Sequence, residues 1–139
     1  MNCSEIAEAF FDRYRRHDID GMLALCAEHA TIDYVPLDAA GPAAVQGKAI
    51  WASLIDAFPD LSNEITALHP DRAGRHVTVE VTIGGTQARD FLGIANRGHA
   101  FSLKHAFIFE LDAAGRIARI RAYWDNARLF DELGGATRG

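Results

Sequence analysis

Cysteine is scarce in this chain of 139 residues, where only Cys3 and Cys26 occur. They form no CxxC pair and stand at no metal-ligand spacing, so neither a disulfide framework nor a zinc site is implied. Positive charge is in deficit as well, and the net charge of −5 at pH 7 argues against a nucleic-acid partner or an anionic membrane surface. Arg13, Arg15 and Arg16 cluster locally, which a solvated helix end explains. No apolar run approaches the length of a membrane span, and MNCSEIAEAFF lacks a basic start followed by a long apolar run. Neither insertion nor secretion is expected, and the expected setting is the reducing cytoplasm. Internal repeats, low-complexity tracts and a second domain are missing too, so residues 1–139 read as one domain. What is present, 49% apolar and 24% charged residues, suffices for a buried core and a small-molecule cavity.

The amino-terminal third reads as helical. Ser4 is a candidate N-cap for a helix from about Glu5 to Arg16, with Ile6, Phe10 and Tyr14 on one stripe. Tyr14 ends that stripe, either as a core residue or as a hydroxyl donor to a pocket. Asp18 caps a second helix from Ile19 to about Ala27, and ATIDYVP reads as a strand in which only one of Asp33 and Tyr34 can look inward. An irregular loop follows over 37–47. A third helix from about Lys48 to Phe58 carries Trp51 and stops at Pro59. Beyond it come a strand around Glu64 to Leu68 and the strong strand HVTVEVTI, with Gly84-Gly85 expected to break it.

The stretch from Thr86 to Asp125 reads as three antiparallel strands. Its middle segment puts Leu103, His105, Phe107 and Phe109 on one face, so a single histidine interrupts an apolar row. In the segment before it, Asp90 shares a face with Ala88, Leu92 and Ile94. In the segment after it, Ala118, Ile120, Ala122 and Trp124 share a face. Centring the first turn between Arg97 and Gly98 places Asp90 opposite His105, and centring the second between Ala113 and Ala114 places Ala122 opposite it on the other side. Cross-strand partners lie roughly 4.5 to 5.5 Å apart at Cβ, close enough for a carboxylate to bond an imidazole. Asp125 reads as the cap of a short helix from Asn126 to Leu133, ended by Gly134-Gly135. The remaining histidines, at 17, 29, 69, 76 and 99, fall at turns, edges or helix ends.

Helices followed by a long run of strands make an α+β layout, with N-terminal helices packed on the concave face of a curved antiparallel sheet around a conical pocket. DRYRRHDIDGMLALCAEHATIDYVP, AFPDL, HAFIFELDAAGRIARIRAYWD and LFDELG together resemble the SnoaL-like polyketide cyclases. These belong to the nuclear transport factor 2-like (cystatin-like) superfamily, with ketosteroid isomerase and limonene-epoxide hydrolase. The resemblance implies that fold, no cofactor, no metal, a hydrophobic small-molecule substrate and a homodimer. Its catalytic positions carry over unevenly. Ala122 stands where the cyclases place an acid/base aspartate, and Phe107 where they place a histidine. Asp90 stands near the hydrolase aspartate whose arginine partner falls at Ala88. Tyr34 lies near the isomerase base, and Phe10 at the isomerase tyrosine, one turn before Tyr14.

Two functions are expected to compete. In the first, the protein is an acid/base enzyme of the cyclase, isomerase or hydrolase type acting on a hydrophobic ring-containing molecule. Asp90 would orient His105 and raise its pKa, Tyr34 or Tyr14 would donate to an oxyanion, and Trp51, Phe107, Ala122 and Trp124 would help line the pocket. In the second, Asp90 and His105 satisfy one another, and the fold is a non-catalytic module binding a small molecule or a protein. An outward apolar set of Ile108, Ile117 and Tyr123 is the expected dimer face.

Overall fold

The computed structural model describes residues 1–134. Helix α1 (Cys3–Arg15) begins two residues earlier than the serine cap implied. Asn2 accepts from the Glu5 amide at 2.8 Å while Glu5 accepts from the Asn2 amide at 2.9 Å, so two orphan N–H groups are satisfied reciprocally. Helix α2 (Ile19–Ala24) has Asp18 as its cap, bonded to the Gly21 amide at 2.9 Å. Strand β1 (Cys26–Tyr34) leads through a 3₁₀ turn (Val35–Leu37), the short strand β2 (Ala39–Pro42) and a π turn (Ala43–Gly47) into α3 (Lys48–Ala57). Then follow β3 (Ser62–Pro70), β4 (His76–Thr86), β5 (Ala100–Leu111), β6 (Ile117–Trp124) and α4 (Asn126–Glu132), capped by Asp125. None of these helices is long and apolar enough to cross a membrane.

The six strands form one curved sheet in the order β2-β1-β6-β5-β4-β3. It is mixed rather than wholly antiparallel, because β1 runs parallel to β6, with Ile32 beside Ile120 and Tyr34 beside Ala122. Register shifts in the β1–β6, β3–β4 and β5–β6 pairs bend the sheet towards the helices. The alternation in β4 and β5 turns Val77, Val79, Val81 and Ile83, and then Leu103, Phe107 and Phe109, to the concave side. Helix α1 covers one half of that side. Phe11 lies 5.0 Å from Phe107 and stacks on Phe109 at 5.8 Å, while Phe10 meets Phe109 at 5.1 Å edge-on.

Two strand expectations change. Gly84 does not break β4, which runs on to Thr86; a Cβ at Gly84 would sit 2.5 Å from the Phe101 carbonyl, so the glycine is there for close approach. Between Thr86 and Ala100 no full strand forms. Residues 87–99 fold into a loop whose one bridge joins Phe91 and Ile94. The Gln87 side-chain amide donates from Nε2 to the carbonyls of Arg89 and Ile94, each at 3.0 Å. The loop is moored to the end of α3, where the Ala88 amide donates to the Ala57 carbonyl at 2.7 Å. The outward set also loses a member: Ile117 is fully buried, because the shift at Glu110/Leu111 turns it inward. Ile108 and Tyr123 remain half-exposed.

Candidate ligand cavity and its polar groups

Where α1 runs out, the concave face is left open. There Leu103, His105 and Phe107 of β5, Ile83 of β4, Trp124 of β6 and Tyr34 of β1 form the floor of a cavity. Tyr14 from the last turn of α1, Leu54 from α3 with Phe58 just beyond it, Phe91 from the loop and Leu129 from α4 close it. The space open to the centre of a water-sized sphere is about 30 Å³, room for roughly one or two waters. Among the described residues, no lining side chain is charged at neutral pH.

Three polar groups interrupt this apolar wall. The half-buried His105 has its Nδ1 3.0 Å from the Leu103 carbonyl. A carbonyl only accepts, so Nδ1 carries the proton and Nε2 keeps its lone pair. Burial pushes the imidazole down to about 4, with the Leu103 bond opposing that shift, so the ring is neutral at pH 7. Tyr34 accepts a 2.7 Å hydrogen bond from the Trp51 indole N–H. Its oxygen is thereby occupied as an acceptor while its own proton stays free to donate. Burial raises the Tyr34 hydroxyl, and the Trp51 bond works the opposite way. Tyr14 is raised first by burial and then by its neighbour Tyr34. Both phenols are therefore protonated donors. His105 and Tyr34 flank the same two rings: Trp124 lies 5.1 Å from His105 and 5.9 Å from Tyr34, and Phe107 lies 6.2 Å and 5.9 Å away.

The expected Asp90–His105 pair does not form. β5 pairs with β4 so that His105 faces Val81, and Asp90 is exposed in the loop, accepting from the Asn96 amide at 2.8 Å. Without that carboxylate the histidine pKa moves down rather than up. On the other side His105 faces Trp124, and Ala122 faces Phe107. Ala122 is fully buried and does not line the cavity. Nor does Trp51, which stands behind Tyr34 against Phe10 at 5.7 Å. Tyr14, Tyr34, His105, Phe107 and Trp124 do line it. Sequence reading passed over Ile83 and Leu103, although both share a strand face with residues it had turned inward. Phe101 belongs to that same row of β5, whereas the inward aim of Phe91 and Leu129 depends on how a loop and the terminal helix fold back over the sheet, which no periodicity reveals. Among the described residues no three His, Cys, Asp or Glu side chains gather to hold a metal ion.

A SnoaL-like domain model matches residues 7–120. No curated protein sequence matches the chain closely enough to count as a relative. Among solved structures, AclR of Streptomyces galilaeus, a candidate hydroxylase, superposes with a TM-score of 0.82 at 17% identity, covering 95% of both chains. IdmH of Streptomyces antibioticus, a candidate polyketide cyclase, gives 0.82 at 18% over 96% of this chain and 99% of its own. SalBIII, an epoxide hydrolase/cyclase-like enzyme with a role in pyran ring formation in the polyether salinomycin, gives 0.74 at 22% over 88% and 90%. At these identities the likeness is one of fold, the nuclear transport factor 2-like cone.

Proposed function

We propose that this chain, which belongs to the SnoaL-like family, binds a neutral ring compound bearing a carbonyl and moves a proton next to that carbonyl without a cofactor. The observation that carries the reading is a neutral imidazole of fixed tautomer and a phenol whose proton is free, both lining one otherwise apolar hollow. The Nε2 lone pair of His105 takes the proton from carbon, and Tyr34, with Tyr14 near it, donates to the oxygen on which charge develops. An imidazole titrating near 4 is deprotonated throughout the neutral range, so it is ready as a base and not as an acid. Enolate charge forming at the tyrosines then raises its proton affinity as transfer proceeds. Cyclisation, isomerisation and elimination all start from that step.

One observation favours a second reading, a module that binds such a compound without turning it over: the cavity wall holds no ionised side chain to drive the base. Exchange of the α-protons of 2-tetralone in D₂O, followed by proton NMR, separates the two. Catalysed exchange that falls about 10² to 10⁴-fold in His105→Ala, and about 10²-fold in Tyr34→Phe, supports the enzyme. Saturable binding with exchange at the buffer rate supports the module. We also propose a cytoplasmic homodimer built on the outer sheet face around Ile108 and Tyr123, which Ile108→Asp should convert to monomer in sedimentation velocity. A wild-type chain that is monomeric at micromolar concentration overturns the dimer.

A further inference from the structure

The inner cavity has a neighbour. A hollow of about 140 Å³ on the surface is walled by Leu37, Ala49, Ile50, Ser53, Phe91 and Leu92, and Leu37 and Phe91 line the inner cavity too. Those two side chains therefore face both spaces and form the partition between them. Leu37 ends the 3₁₀ turn after β1. Phe91 opens a two-residue turn, exchanging backbone hydrogen bonds with Ile94 at 3.1 and 2.8 Å. Both central residues are left-handed, Leu92 at φ 49 and Gly93 at φ 77. Such turns favour Asn-Gly, and a leucine at the first position is an outlier of the kind that marks working parts of a fold. Leu92 is also 52% exposed, its apolar side chain spread on the wall of the outer hollow rather than packed in the core. The inner cavity alone is too small for a ring.

We infer that Phe91 and Leu37 determine which ligands reach His105 and Tyr34. An apolar ring compound settles first in the outer hollow, and displacement of Phe91 on its turn merges the two spaces into one pocket. The inference rests on the reading of the inner cavity as a ligand site. Its test is stopped-flow fluorescence of 2-naphthol binding to the full chain, in wild type and in three variants whose folding is checked by circular dichroism. Phe91→Ala and Leu37→Ala, which thin the partition from opposite walls, are expected to speed association at least tenfold. Ile55→Ala shortens a half-buried side chain of α3 that lines neither space, and is expected to leave the association rate within twofold of wild type. Should Phe91→Ala not fold, Leu37→Ala decides. Equal rates in wild type and Leu37→Ala, or equal acceleration in Ile55→Ala, would overturn the partition and leave the cavity standing as a ligand site. No binding by wild type or any variant up to millimolar 2-naphthol overturns both.

Discussion

The two halves of β5 present the same alternation to the concave face and end in opposite roles. Around Phe107 and Phe109 the rings of Phe10 and Phe11 descend from α1 and leave no space. Around Leu103 and His105, Tyr14, Leu54, Phe58, Phe91 and Leu129 reach over from separate elements, and a cavity survives. A strand face is thus core or site according to what is laid across it, and the histidine stands at the boundary. The boundary also sets its chemistry: Phe107 and Trp124 on either side remove water from the ring, which is why it is neutral.

Substitutions in the two halves should therefore fail differently. The largest effect is expected at the filled end. Phe109→Ala opens a cavity under α1 and should cost about 3–5 kcal/mol in urea unfolding, while 2-naphthol still binds the folded fraction. A loss of under 1 kcal/mol would mean that this half is no better packed than the other. At the open end, His105 titrates lower folded than unfolded, about 4 against 6.5. Between those values the unfolded chain binds a proton that the native one refuses, so stability is full above pH 6.5 and falls as pH drops towards 4. The loss amounts to about 2–3 kcal/mol for this group. His105→Gln should remove that part of the slope, and unfolding curves at pH 7 and pH 4.5 for the two proteins would show it. The same shift places the acid limb of any His105-dependent exchange near pH 4, with a flat profile above it. The smallest effect is expected at Asp90. Asp90→Ala should cost about 1 kcal/mol or less through its loop bond to Asn96, and should leave the histidine titration unmoved. A changed imidazole titration in that variant would restore the carboxylate to the site.

The legible part of this molecule was whatever depends on parity. His105, Phe107 and Phe109 were placed on one face by alternation alone, and Tyr34 rather than Asp33 is the buried member of its pair. Ala122 was placed on the correct face with the wrong partner. Asp112 bonds both Ala114 and Arg116, which lengthens the turn, and the shift at Glu110/Leu111 adds to it. The pairing therefore slips by two residues, an even number that preserves the face. Asp90 failed for another reason: its segment satisfies its backbone through Gln87 and the end of α3, and a two-residue period carries no record of such side-chain anchors. The stripe along a single helix is legible in the sequence, whereas the cover it places over the sheet is not, since that depends on distances across the fold.

The parallel pairing of β1 with β6 has a consequence for how the molecule is made. Residues 31–34 align with residues 119–122, so the two edges of this seam emerge from the ribosome about ninety residues apart. The β4–β5 and β5–β6 ribbons can zip locally, but β1 and its short edge partner must wait for β6. Sheet closure is then a late, long-loop event of the kind that slows folding. During that wait the apolar side of the central ribbon lies uncovered, and the nascent chain is most prone to sticking to its neighbours then.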